Sequence, residues 1–205
     1  ENNIDITGLA AYNNDSTVII VAGAADSSRT FISTDGGTSW IRSGKVPTGD
    51  SDTEVLFAPD FAATGKMYAA ASGAGSALSI SRDMGASWSQ TSFIDTTIAN
   101  IVDLAPSPNY RQDNTLFMIS SGGSDNLWRS QDGGSAWERV FSSAYADVEN
   151  INLVTLPPQY GIDSQKVLIN GVSNGDPAIW ESNDNGQNYM CRVTRDPATG
   201  TTFPV

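Results

Sequence analysis

Short apolar runs follow one another along the chain, and each stops at Gly, Pro, Asp or Asn. Residues 54–58, 66–72, 77–81 and 87–93 form one set of four runs, and residues 101–105, 115–120, 126–130 and 136–141 form the next. Val, Leu, Ile, Phe, Tyr, Ala and Ser dominate them, a composition that reads as β-strand bounded by turns. No segment carries apolar residues at i, i+3, i+4 and i+7 over three turns, so the pattern predicts almost no helix. Pro59, Pro108 and Pro158 follow the first run of their sets; lacking a backbone N–H, each marks a strand end.

The sets repeat. Four octapeptides stand out: Ser33-Thr-Asp-Gly-Gly-Thr-Ser-Trp40, Ser81-Arg-Asp-Met-Gly-Ala-Ser-Trp88, Ser130-Gln-Asp-Gly-Gly-Ser-Ala-Trp137 and Ser182-Asn-Asp-Asn-Gly-Gln-Asn-Tyr189. Ser holds position one, Asp position three, Gly position five and an aromatic residue position eight. Asp35, Asp83, Asp132 and Asp184 are 48, 49 and 52 residues apart. A second element keeps phase with them: Phe61 and Tyr110 each precede the next of these Asp residues by 22, Tyr160 by 24 and Tyr12 by 23. Four units of about 50 residues with four short strands apiece match the blades of a β-propeller. The expected fold is all-β, with four-stranded antiparallel blades at 1–46, 47–94, 95–143 and 144–198 in one propeller segment. Residues 199–205 turn apolar again, and the expectation is that they begin a further blade of a larger ring.

Each octapeptide joins the third strand of its unit to the fourth. Its Asp can accept hydrogen bonds from the N–H groups of the turn. Its Gly (Gly37, Gly85, Gly134 and Gly186) supplies a positive φ. The aromatic residue opens the outer strand and can wedge against a sheet, so Trp40, Trp88 and Trp137 are expected to be buried between neighbouring blades. Ser-x-Asp-x-Gly-x-Ser/Thr-Trp resembles the Asp-box, or BNR repeat, and the resemblance covers essentially the whole chain. It implies an Asp-box β-propeller, a family that includes sialidases, xyloglucan-active glycoside hydrolases, sortilin-type receptors and many bacterial surface proteins. It also implies that the octapeptides lie at the blade periphery and serve the fold.

Composition narrows the chemistry. Lys and Arg number 11 against 23 Asp and Glu, a net charge of -12. A field of that sign argues against nucleic acid and anionic lipid surfaces as partners. No His is present, which removes imidazole as base or metal ligand. One cysteine, Cys191, excludes an intrachain disulfide and multi-Cys metal sites. No run of about 18 apolar residues exists, so membrane insertion is not expected. The chain opens on Glu1-Asn2-Asn3-Ile4 without Met or a basic-then-apolar leader, as a processed product would.

Few residues remain as candidates for function. Asp103 is an acid inside a predicted inner strand and Asp5 has a comparable place; two carboxylates about 5 or 6.5–9.5 Å apart across a cleft would suit a glycosidase. Both read more simply as hydrated channel carboxylates. Asp50, Asp52 and Glu54 alternate like the start of a calcium loop but lack its glycine and closing glutamate, so a solvated loop is the simpler reading. Arg29, Arg82, Arg129 and Arg139 sit in or beside outer strands and octapeptides, and no Arg-Ile-Pro motif of the sialidases occurs. Solvated blade faces account for them. Trp128, Trp180 and Phe31 share a column two residues before the octapeptide Ser, which suits an inter-blade core. Asn14-Asp15-Ser16 is an N-glycosylation sequon in a predicted turn.

The sequence therefore favours a non-catalytic propeller, secreted or in the cell envelope, that acts as a scaffold or as a protein- or carbohydrate-binding module. No metal or cofactor is expected. Partners would be a protein or glycan ligand, and further blades or a second copy of the chain. The alternative is a portion of a glycoside hydrolase of sialidase or xyloglucanase type.

Overall fold

A computed structural model describes residues 4–13, 16–93 and 98–193. The sequon at 14–16 and the apolar tail at 199–205 fall wholly or partly outside the described residues. The chain divides into two compact units, Glu1–Ile101 and Val102–Val205, and each holds two antiparallel sheets.

The first unit contains one sheet of β1 (Ile6–Asn13), β2 (Val18–Ala24), β3 (Thr30–Ser33) and β4 (Ile41–Arg42). Its second sheet contains β5 (Thr53–Phe57), β6 (Met67–Ala71), β7 (Ala77–Ser81) and β8 (Ser89–Phe93). Strands pair in sequence order, so every sheet is an up-and-down meander. The sheets of this unit pack around Val21, Ile32, Val55, Phe57, Phe61, Met67, Ala69 and Trp88. Their approach is close enough to demand glycine: a Cβ on Gly23 would lie 1.9 Å from the Thr53 carbonyl oxygen.

The second unit repeats the plan. Its first sheet comprises β9 (Asn100–Pro106), β10 (Leu116–Ser121), β11 (Asn126–Ser130) and β12 (Glu138–Ser142). Its second comprises β13 (Asn150–Thr155), β14 (Val167–Ser173), β15 (Asp176–Ser182) and β16 (Met190–Val193). Phe117, Ile119, Leu127, Phe141, Ile151, Val154, Val167, Ile169 and Trp180 form its core. Period-two patterning shows in β14 and β15, where buried and half-buried residues alternate. In β6 and β7 every residue is buried, which explains their continuous apolar runs.

Among the described residues helix is confined to single turns, α1 (Phe61–Thr64) and α2 (Tyr110–Asp113), just after Pro59 and Pro108. Gly65 and Asn114, both left-handed, stop them by returning an N–H to the carbonyls of Phe61 and Tyr110. The turns serve to bury an aromatic ring: Phe61, Tyr110 and, in the corresponding turn, Tyr160 are all buried. In the first repeat the half-buried Tyr12 plays this part, with its ring centroid 4.8 Å from that of Phe61.

Candidate functional site

All four octapeptides fold alike. The position-one hydroxyl accepts the N–H of the position-five glycine at 2.8–2.9 Å, from Gly37 to Ser33, Gly85 to Ser81, Gly134 to Ser130 and Gly186 to Ser182. It donates to Oδ1 of the Asp at 2.8 Å in each case. That same Oδ1 accepts the position-seven N–H at 2.9 Å, from Ser39, Ser87, Ala136 and Asn188. Positions four and five both have positive φ, with Gly36, Met84, Gly133 and Asn185 at the first of them. Two successive left-handed residues curl the chain so that its N–H groups converge on one carboxylate.

The charge of that carboxylate is stabilised by its donors. Asp35 and Asp184 are both held at about 2, chiefly by the side chains of Ser39 and Asn188 and then by the same residues' N–H groups. The Ser87 hydroxyl does most to lower Asp83. Partial burial opposes the shift most strongly at Asp132, which is nevertheless lowered by the Ala136 N–H and the Ser130 hydroxyl.

The aromatic residues of position eight do not share one environment. Trp88 is 1% exposed and donates its indole N–H to Thr30 Oγ1 of the neighbouring sheet at 2.8 Å. Trp137 is half-buried. Trp40 is 42% exposed, contrary to expectation, and its indole N–H donates to the Gly37 carbonyl within its own turn. It lines a broad apolar recess of about 740 Å³ with Ile6, Leu9, Ala22, Phe31 and Arg42, on the face of the first sheet turned away from the second. Trp180 is buried, whereas Trp128 and Phe31 are half-buried, so their shared column is only partly core.

Asp103 lies in β9, half-buried, and accepts the N–H of Leu104 and, across to β13, the N–H of Val154, each at 2.9 Å. Burial raises its pKa above the ordinary carboxylate value, and the two N–H groups partly offset this. The Asp103 carboxylate thus ties the innermost strands of two sheets. Asp5 is exposed, and its carbonyl accepts the N–H of Ala25 at 2.8 Å. Asp52 accepts the N–H of Asp26 at 2.8 Å, Asp50 is an exposed loop residue, and Glu54 stands within β5 opposite Ala70. Among the described residues no group of three His, Cys, Asp or Glu side chains is arranged to hold a metal.

Arg129 departs from the expected solvated face. It is 6% exposed, and its guanidinium donates to the Asn185 carbonyl and, at 2.6 Å, to Glu138. Tyr160 donates to Oδ1 of the same Asn185. Burial and the Asp113 charge push Tyr160 up to about 12, so it remains a phenol and a donor. Arg82 and Arg139 are exposed and Arg29 is half-buried. The sequence signal for Arg129 was its column: it stands three residues before Asp132, where Ile32 and Ile80 precede Asp35 and Asp83.

Four up-and-down meanders with these turns define a β-propeller, and solved structures agree. A GH74 enzyme from Niastella koreensis matches 91% of this chain at 18% identity with a TM-score of 0.67. The GH74 xyloglucanase from Xanthomonas campestris matches 87% at 17% identity and 0.63. Saccharomyces cerevisiae Sqt1 matches 93% at 13% identity and 0.63. The matched part is 29% of each GH74 chain and 48% of Sqt1, and likeness at such identity concerns the fold alone. No family model and no curated protein matches the chain.

Proposed function

We propose that the chain is a non-catalytic propeller module of the Asp-box kind, acting outside the cell or in its envelope as a scaffold or as a protein- or carbohydrate-binding module. The observation that carries this reading is how its carboxylates are engaged. Asp35, Asp83, Asp132 and Asp184 accept the N–H groups of their own turns, and Asp103 accepts two strand N–H groups. Each therefore holds backbone in place. A glycosidase acid or base must instead keep an oxygen available to the scissile bond or to water, whereas the inner-strand acid Asp103 has each of its two oxygens taken by a backbone N–H.

The second reading is a portion of a glycoside hydrolase, favoured by the xyloglucanase among the similar structures. Turnover of a fluorogenic sialoside and of xyloglucan oligosaccharides separates the two. Binding without turnover is the expected result. Turnover at about 1 per second or faster, an ordinary enzyme rate, would replace the first reading by the second.

A further inference from the structure

The first unit shows how two sheets of this repeat meet. Val21, Thr30 and Ile32 of the β1–β4 sheet face Val55, Met67, Ala69 and Trp88 of the β5–β8 sheet, and all are buried. The second unit uses the same columns: Phe117, Ile119 and Leu127 face Ile169, Ala178 and Trp180. Each seam thus joins the trailing face of the earlier sheet to the leading face of the later one.

The leading face of the β1–β4 sheet stands outside these seams. Register places Leu9, Ala22 and Phe31 side by side, as it places Val55, Ala69 and Ser79 in the next sheet. Trp40 holds the octapeptide position of Trp88. Val55, Ala69, Ser79 and Trp88 are buried, whereas Leu9 is 68% exposed, Trp40 is exposed and Phe31 is half-buried. The recess of about 740 Å³ bordered by Leu9, Phe31 and Trp40 is therefore the unfilled half of a seam. An apolar surface of this kind on a folded chain marks a place of association.

The trailing face of the β13–β16 sheet is the other half. Leu168 pairs with Glu181 there and Asn170 with Ile179, in the columns of the Val21–Ile32 and Gly23–Thr30 pairs. Leu168, Asn170, Ile179 and Glu181 are all half-buried, where Val21, Thr30 and Ile32 are buried. Glu181 already pairs with Lys166 at 2.8 Å, so covering this face strands no lone carboxylate.

We propose that these two faces form a seam between two copies of the chain, the leading face of one copy's β1–β4 sheet seated on the trailing face of the other's β13–β16 sheet. A second copy is the occupant because the chain itself carries a face of each kind, and both seams within it join those two kinds. The contact joins unlike surfaces, so it is heterologous. Trp40 is open in the dilute chain and covered when copies associate. The inference goes beyond the function proposed above and does not depend on it.

Light scattering of the whole chain at about 100 µM, well above a micromolar dissociation constant, should give a mass of two or more copies. Leu9→Lys spoils only the leading face and Ile179→Lys only the trailing one, with near-ultraviolet circular dichroism as the check on folding. Each variant alone should fall to the mass of one copy. Mixed one to one, the variants retain one intact face of each kind and should give a mass of two copies. Iodide quenching of indole fluorescence should decline as the unaltered chain is concentrated and stay constant in Leu9→Lys. A single-copy mass for the unaltered chain, or quenching independent of its concentration, would overturn the proposal. Association of either variant alone, or a mixture that stays at one copy, would overturn the assignment of the two faces.

Discussion

The two seams between paired sheets, one in each unit, share a backbone plan and differ in chemistry. In the first unit Ile32 faces the neighbouring turn at Gly85, where an added Cβ would lie 3.4 Å from Ile32 Cδ1 and 3.0 Å from Met67 Cε. Trp88 completes that seam, its indole N–H donating to Thr30 and its backbone N–H to the Lys45 carbonyl. In the second unit the residue in the column of Ile32 is Arg129, and the residue in the column of Met84 is Asn185. There a guanidinium meets a carbonyl, Tyr160 bonds the Asn185 side chain, and Phe141 packs edge-on to Tyr189 with centroids 4.7 Å apart. The turn geometry is the same in both. The octapeptide thus fixes the frame by local bonds, and the seam is free to be apolar or polar. Ion pairs and buried polar networks of this sort contribute little unless all members are satisfied. The buried hydroxyl of Tyr189, without a partner among the described residues, makes the second seam the less economical of the two.

The sharpest way to break the comparison is at Trp88. Trp88→Ala removes the largest buried ring of the first seam and should cost about 3–5 kcal/mol, read from urea unfolding. A cost below about 1 kcal/mol would mean that the seam is not held by this ring.

Next in size is the polar seam. Arg129→Leu gives the second seam the apolar character of the first and leaves the Asn185 carbonyl without its charged donor. A loss of about 1–3 kcal/mol is expected, with little of it from Glu138, which is 67% exposed. A gain in stability would show that the guanidinium is retained at a net cost, and a titration of urea midpoint against salt would then be flat.

Acid should loosen the turns before the seams. Asp35 and Asp184 titrate at about 2 in the folded chain, below the ordinary 3.8. Their folded pKa values are depressed, so their contribution is present above about pH 4 and disappears as pH falls toward 2. Asp103, raised by burial, acts in the opposite sense: its contribution is present at low pH and is lost as pH rises through its folded value. Unfolding followed from pH 6 to 2 should therefore show a decline confined to the acid end. Asp35→Asn should reduce that decline, and an unchanged acid profile in this variant would count against the assignment.

The smallest effect belongs to Trp40. It occupies the same octapeptide position as Trp88 but is largely open, so Trp40→Ala should cost no more than about 1 kcal/mol. Iodide quenching of indole fluorescence should reach Trp40 and spare Trp88. Equal costs for the two substitutions would erase the distinction between a covered and an uncovered sheet face.

What was legible in the sequence is what local spacing determines. Ser130, Asp132 and Gly134 interact with one another within five residues, so their column alone predicts their bonds. The strands at 77–81 and 126–130 were read with their observed limits for the same reason: a turn residue bounds each end. The helical turns α1 and α2 escaped notice because a single turn has no periodicity. The Trp40 environment was misjudged because the burial of an aromatic wedge depends on a second sheet, not on its own octapeptide. Arg129 was misjudged for a related reason: its acceptor is a carbonyl 56 residues further along.

The central claim is that the octapeptide carboxylates are staples of the turns. Urea unfolding of Asp83→Ala tests it most directly, since Asp83 holds the Ser81 hydroxyl and both the N–H and the hydroxyl of Ser87. The account predicts a lower midpoint at unchanged slope, a loss of about 1 kcal/mol for these solvent-exposed bonds. A midpoint equal to that of the unaltered chain, with carbohydrate binding abolished, would show instead that the carboxylate serves a ligand and not the turn.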